Sequence, residues 1–377
     1  MSASFLRPKT VKRFIVKLGL VLLSICFTLG VFDLTVYLIP KHLLPDGLRD
    51  LNSVMQIRSG GHRVRDPELG YMIRPGTDFF FPGEEFRFRF QTRLNFSDAG
   101  FRGGTLGGPV WGAAFGDSFT FGAGVDQAES WVGQLAELTK REIINFGTPG
   151  QGPHQYTRIF RRYGAPLRPK IVFYALFTND LKDGVRFEGR QANPEKPEKK
   201  LSAKQFMRRY STSYNLLGIF FTRLTRMWKN DTRNGIGLKL LERSLRSPYG
   251  VAESRFAPAW TAVARQIEDA VEESKRINAT FVLLYFPSKE EVYWELAKAK
   301  IKEIELFRER IERLRKVTMA FCASRGLWCL DLTPALKTRG LRGEKLYYPV
   351  DIHWNEAGNT AAAQEIYKFL LEKNLIE

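Results

Sequence analysis

The hydrophobic pattern changes character three times along the chain. Over residues 14–39 nearly every position is apolar, and residues 18–32 carry no charge. A helix of about 20 such residues spans the hydrocarbon core of a bilayer. The run therefore predicts a membrane helix, with Asp33 near its far end. Its apolar positions surround the helix, unlike the single stripe of a soluble amphipathic one. Residues 40–108 read as a juxtamembrane segment of turns and short strands. Within it, residues 79–90 alternate aromatic and charged positions, the period of a half-buried strand.

From residue 109 to 377 short apolar runs alternate with helical patterns. Residues 109–115, 142–146, 170–177, 279–286 and 327–330 predict strands, and residues 130–139, 155–163, 258–276, 301–325 and 355–373 predict helices. Strands separated by helices imply right-handed crossovers and a parallel sheet covered on both faces, a three-layer α/β/α domain. In such a sheet the reactive site lies beyond the carboxyl ends of the strands. Residues 185–257 interrupt the alternation as an insertion. Residues 193–200 are rich in Pro, Lys and Glu and read as a solvated linker. After it, Leu216, Leu217, Phe220, Phe221, Leu224 and Trp228 form an apolar stripe with Arg223, Arg226 and Lys229 close by. The stripe is expected to be a helical cap packed on the domain. A basic amphipathic helix lying on anionic lipid is the alternative, and the two are compatible.

Composition narrows the class. At 377 residues, 44% hydrophobic and 26% charged, the chain folds around a substantial core rather than staying disordered. Its formal charge of +18 is concentrated. Residues 1–17 hold five basic residues and no acid, and residues 186–250 hold fifteen basic residues against five acids. The remainder is close to balanced, which argues against a nucleic-acid groove through the core domain. The basic residues ahead of the apolar run predict a cytoplasmic tail at residues 1–13 and export of everything beyond residue 40. A cleaved signal peptide competes with this reading, but no Ala-x-Ala site precedes Lys41. The expectation is a single-pass protein of a bacterial inner membrane, its main domain outside the cytoplasm. Cys322 and Cys329 flank Gly326; after export they are either a disulfide or two buried thiols. No spacing of Cys and His suggests zinc, and no metal or cofactor is expected.

Four segments carry candidate chemistry, each placed where a strand ends. Gly116-Asp117-Ser118-Phe119 follows the first predicted strand; a serine hydroxyl there needs a base to become a nucleophile. Asn145-Phe146-Gly147-Thr148-Pro149-Gly150 follows the second and offers backbone N–H groups. Phe177-Thr178-Asn179-Asp180 follows the third and offers a side-chain amide. Asp351-Ile352-His353-Trp354 precedes the last helix. In an extended backbone, residues two apart point the same way, so Asp351 is placed to hold one nitrogen of His353 while the other faces a serine. Taken alone, His353 also reads as a helix-start residue with Asp351 as a cap.

In this order the four segments resemble the GDSL/SGNH hydrolase superfamily over residues 109–377 without the insertion. The resemblance implies a flavodoxin-like α/β/α fold and Ser-His-Asp acyl chemistry without a metal. It makes Ser118 the nucleophile, His353 the base and Asp351 its orienting carboxylate. Oxyanion donors would be the backbones of Ser118 and Gly150 and the side chain of Asn179. Two departures stand out. Phe177 occupies the glycine position of the usual Gly-x-Asn-Asp, and Asp-x-His-Trp replaces Asp-x-x-His. The shorter form resembles a branch that includes exported polysaccharide O-acetyltransferases and esterases, as does the phrase from Pro287 to Tyr293. Asp117, Asp180, Lys289 and Trp354 are candidate substrate contacts. The expected activity is cleavage of an ester on a cell-envelope glycan or lipid. The alternatives are acyl transfer to an exported polysaccharide and a non-catalytic assembly protein of the same fold.

Overall fold

The computed structural model describes residues 8–58, 60–82, 87–104, 109–191, 202–228, 252–298, 308–349 and 351–376. The chain divides into two compact units. One combines residues 1–61 with 198–231, the other residues 62–197 with 232–377.

The larger unit is built on five parallel strands: β1 (Gly112–Phe115), β2 (Ile143–Asn145), β3 (Ile171–Leu176), β4 (Thr280–Tyr285) and β5 (Trp328–Asp331). Their order across the sheet is β5-β4-β3-β1-β2. This is the doubly wound arrangement in which the connections reverse direction between β1 and β3, opening a crevice at their carboxyl ends. Every residue of β1, β2 and β3 is buried. Apolar strands without alternation are what a sheet covered on both faces requires. Phe115, Phe146, Tyr174, Tyr285 and Val263 fill one face. Trp131, Phe173, Phe286, Trp354 and Ile366 fill the other.

The expected helices are present, with ends set by capping chemistry. Trp131–Thr139 starts after Ser130, whose Oγ accepts the Gly133 N–H at 3.1 Å. Glu356–Glu372 starts after Asn355, whose Oδ1 accepts the Gly358 N–H at 3.0 Å. Each predicted start falls on the cap itself, because Ser and Asn supply the side-chain oxygen a first turn needs. Pro153–Ile159 begins two residues earlier than expected, and Phe256–Arg276 and Arg308–Arg325 follow. Residues 301–307 of the last expectation lie outside the described residues. Helices that were not anticipated include Asp180–Gln191 and Thr333–Leu341, and Asp46–Arg58 within a segment expected to hold only turns and short strands. Asp180–Gln191 is polar apart from buried Leu181 and Phe187 and partly buried Val185, too thin a stripe to read as a helix. The aromatic alternation, expected as one strand, forms two. Arg87–Gln91 pairs antiparallel with Asp78–Pro82, burying Phe88 and Phe90 while Arg89 faces solvent and donates to Asp78. Cys322 and Cys329 form a disulfide between Arg308–Arg325 and β5.

The smaller unit contains Pro8–Leu38, Asp46–Arg58, Ala203–Tyr210 and Thr212–Trp228. Within the first helix, Arg13–Leu38 is long and apolar enough to cross a membrane. The stripe expected as a helical cap on the main domain lies on Thr212–Trp228, which packs against the first two helices of this unit, and the preceding Ala203–Tyr210 helix was not anticipated. The expected linker at 193–200 lies outside the described residues.

Candidate active site

Ser118 opens the short helix Ser118–Phe121 directly after β1. The turn is sharp because Asp117 caps it, its Oδ1 accepting the Phe119 N–H at 2.8 Å. The far end is held by Arg102, which is fully buried. Its guanidinium donates to the carbonyls of Phe121 (2.8 Å), Gly122 (2.5 Å) and Val125. Nothing in the sequence pattern marked Arg102, because its partners are backbone oxygens from a segment about twenty residues on.

The turn after β2 lies against this helix. Asn145 Nδ2 donates to the Thr120 carbonyl at 2.8 Å, and the Thr148 N–H donates to the Gly116 carbonyl at 3.0 Å. A Cβ on Gly147 would sit 2.2 Å from the Phe121 nitrogen, so only glycine allows this approach. Gly150 is exposed, with a left-handed φ of 77°. Its neighbour Pro149 is fixed from an unanticipated direction, the Tyr71 hydroxyl donating to its carbonyl at 2.6 Å.

Ser118, His353 and Asp351 form one hydrogen-bonded chain. Ser118 Oγ lies 2.7 Å from His353 Nε2, and His353 Nδ1 lies 2.5 Å from Asp351 Oδ1. The expected extended backbone is not what joins Asp351 to His353. Residues 351–353 form a bend in which Asp351 Oδ1 also accepts the His353 backbone N–H at 2.9 Å. An aspartate bonding the backbone two residues on is an Asx turn, and it accounts for the two-residue spacing. Burial pushes the Asp351 carboxyl up, but the His353 ring, its backbone N–H and the Lys289 charge outweigh burial and hold it below the ordinary carboxylate range.

The loop bearing this pair is braced on both sides. Lys289 Nζ donates to the carbonyls of Tyr348 (2.6 Å) and Pro349 (2.9 Å). The Tyr348 hydroxyl donates to the Gly124 carbonyl at 2.8 Å, and the Tyr347 hydroxyl to that of Pro287. Below His353, Phe119 packs against the imidazole with ring centroids 5.0 Å apart. Phe177, at the position where the family pattern has glycine, packs on Phe119 at 4.1 Å. A large ring there closes the floor that a glycine would leave open.

Asn179 stands after β3, half-buried, with Nδ2 donating to Asp183 Oδ2 at 3.3 Å. Three carboxyls gather beneath the site. Burial raises Asp117, with the Phe119 N–H and His353 working against it. Burial and the neighbouring Asp117 raise Asp180, which accepts the Tyr156 hydroxyl at 2.6 Å and the Phe177 N–H at 2.8 Å. Burial and Asp117 also push Asp183 up to about 6, against the pull of Arg186 and Lys182.

The four candidate substrate contacts are committed elsewhere. Asp117 caps the Ser118 helix and Asp180 holds Tyr156, both almost fully buried. Lys289 is buried and braces the His353 loop. Trp354 is 1% exposed and packs on Phe286 at 4.6 Å in the core. Each fills an internal bonding or packing requirement. A cavity of about 230 Å³ lies apart from the Ser118–His353–Asp351 chain, lined by His154, Arg158, Phe187, Glu188 and Arg265 among others.

Solved structures to which this chain is similar include TesA, at 14% identity over 70% of this chain and 99% of that one, with a TM-score of 0.37. The acetylxylan esterase Axe2 from Geobacillus stearothermophilus matches at 10% identity over 70% and 95%, TM-score 0.36. The esterase EstA from Pseudoalteromonas sp. matches at 12% over 70% and 98%, TM-score 0.33. No curated protein matches the sequence. Residues 114–361 match the model of the GDSL-like lipase/acylhydrolase family, and the chain belongs to that family.

Proposed function

We propose that this protein is a membrane-anchored serine esterase acting on an ester-bearing glycan or lipid of the cell envelope. The observation that carries the reading is the continuous chain from Ser118 Oγ through His353 to Asp351, at 2.7 and 2.5 Å. As Ser118 Oγ attacks the ester carbonyl carbon, its proton passes to His353 Nε2, and Asp351 supports the resulting imidazolium. The carbonyl oxygen takes up negative charge, stabilised by the N–H groups of Ser118 and Gly150 and by the Asn179 amide. Collapse expels the alcohol, which takes the proton from His353. Water, deprotonated by the same imidazole, then attacks the acyl-serine and releases the acid.

The anchor reading rests on the Arg13–Leu38 helix and the basic residues before it, which favour a cytoplasmic N-terminus. A disulfide at Cys322–Cys329 suits the oxidising environment that export provides. A second reading, acyl transfer to a sugar hydroxyl, is favoured by the Asp351-x-His353-Trp354 form of the last motif.

A fluorophosphonate probe tests the chemistry directly. Labelling of the wild type and none of Ser118→Ala is the expected result. A folded wild type that forms no Ser118 adduct would sink the enzyme reading. Free acetate that falls as acetyl groups appear on an added glycan acceptor would favour the transferase.

A further inference from the structure

The smaller unit carries a second apolar surface beside the anchor helix, and it begins with an unusual hydrogen bond. Asp33 sits inside the apolar run, five residues before the helix ends at Leu38, or about 7.5 Å along the axis. A carboxylate at that depth of a bilayer requires donors that reach the same depth. Both come from the first turn of the Thr212–Trp228 helix. Asp33 Oδ1 accepts the Ser213 N–H at 2.7 Å, and Oδ2 accepts the Ser213 hydroxyl at 3.0 Å. The positive end of a 17-residue helix dipole reinforces the pairing. Ser211, Thr212, Ser213 and Asn215 are buried around this junction.

Immediately beyond the junction the helix turns apolar and uncovered. Leu217, Phe220 and Phe221 are 45%, 58% and 57% exposed, and Phe206 and Tyr210 of the preceding helix are likewise open. Apolar residues at the same end of the anchor helix, Leu34 and Leu38 among them, are exposed too. Patches of this kind mark an interaction surface. Charge identifies the partner: residues 199–230 contain eight Lys or Arg and not one Asp or Glu. Basic residues flanking exposed Leu and Phe match an anionic lipid interface.

We infer that the Ala203–Tyr210 and Thr212–Trp228 helices form a second membrane contact, seated in the headgroup boundary of an anionic bilayer beside the anchor. Asp33 fixes its depth, and Lys204, Arg208 and Arg209 of the first of these helices supply positive charge for the phosphates. The enzyme is then held to the membrane by a spanning helix and an interfacial wedge rather than by a single tether. This inference rests on the anchor reading of Arg13–Leu38.

The test uses the full chain in vesicles of phosphatidylcholine and phosphatidylglycerol, with fluorophosphonate labelling of Ser118 as the folding control. An environment-sensitive fluorophore is attached to Cys26, or to Phe220→Cys or Leu371→Cys in a Cys26→Ser background. Brominated lipid is expected to quench the labels at positions 26 and 220 several-fold more than that at 371, with iodide showing the opposite order. A position-220 label open to iodide while the Cys26 label stays lipid-quenched would overturn the second contact and leave the anchor standing. A Cys26 label open to iodide would overturn the anchor, and the second contact with it.

Discussion

Asp351 Oδ1 accepts two N–H groups from one residue, the backbone of His353 at 2.9 Å and its ring Nδ1 at 2.5 Å. The carboxylate therefore sets both the bend of the chain and the orientation of the imidazole. Asp351→Asn keeps the shape but replaces an acceptor-only group with one that also donates, so the ring loses its imposed tautomer. The expected outcome is a fall in kcat of about 10³- to 10⁴-fold, measured on a chromogenic ester, with a modest loss of thermal stability at neutral pH, where the depressed carboxyl contributes.

Ser118→Ala and His353→Ala remove parts of one relay. Each is expected to lower kcat by at least about 10³-fold, and the double variant to be no worse than either alone, because such groups act as a unit. Additive losses in steady-state kinetics would contradict a shared proton path.

Asn179→Ala removes the proposed side-chain oxyanion donor. Loss of one such donor typically lowers turnover by about 10²- to 10³-fold. The loss should fall on kcat with KM nearly constant, since the donor acts on charge that develops only in the transition state.

Lys289→Met separates a brace from a substrate contact. Removing the ammonium leaves the Tyr348 and Pro349 carbonyls short of a buried donor, a cost of about 1–3 kcal/mol for such a group. The expected signature is a lower melting temperature and a lower kcat at unchanged KM. A rise in KM alone would return Lys289 to the substrate.

Glu291 supplies a pH prediction. Burial pushes its carboxyl up to about 8, against hydrogen bonds from the Ser288 N–H and Tyr285. A carboxyl raised in the folded state binds more protons there than in the unfolded chain, so its contribution to stability is full at low pH. It is lost as pH rises from the ordinary glutamate range toward 8. Glu291→Gln is expected to flatten the melting temperature between about pH 5 and 8. An unchanged slope in thermal melts would contradict the assignment.

Much of the fold was legible because its physics is local. Strands such as Ile171–Leu176 are apolar at every position, and a parallel sheet buried on both faces demands that. The serine, the amide and the Asp-His pair were found because each lies at a strand or helix end, where sequence punctuation is strong. Their supports were not legible. Arg102 bonds backbone carbonyls, Tyr71 reaches Pro149 across 78 residues, and Lys289 reaches Tyr348 across 59. Contacts with carbonyl oxygens leave no side-chain signature at the far end.

By itself the sequence determined the strand-helix alternation, the apolar N-terminal helix and the identity of the side chains proposed to react, since hydrophobic period and residue chemistry are properties of short windows. Only the tertiary structure decided that Ser118 and His353, 235 residues apart, meet at 2.7 Å. It also decided that Asp117, Asp180, Lys289 and Trp354 serve the interior, because burial is set by what packs around a side chain and not by the side chain itself.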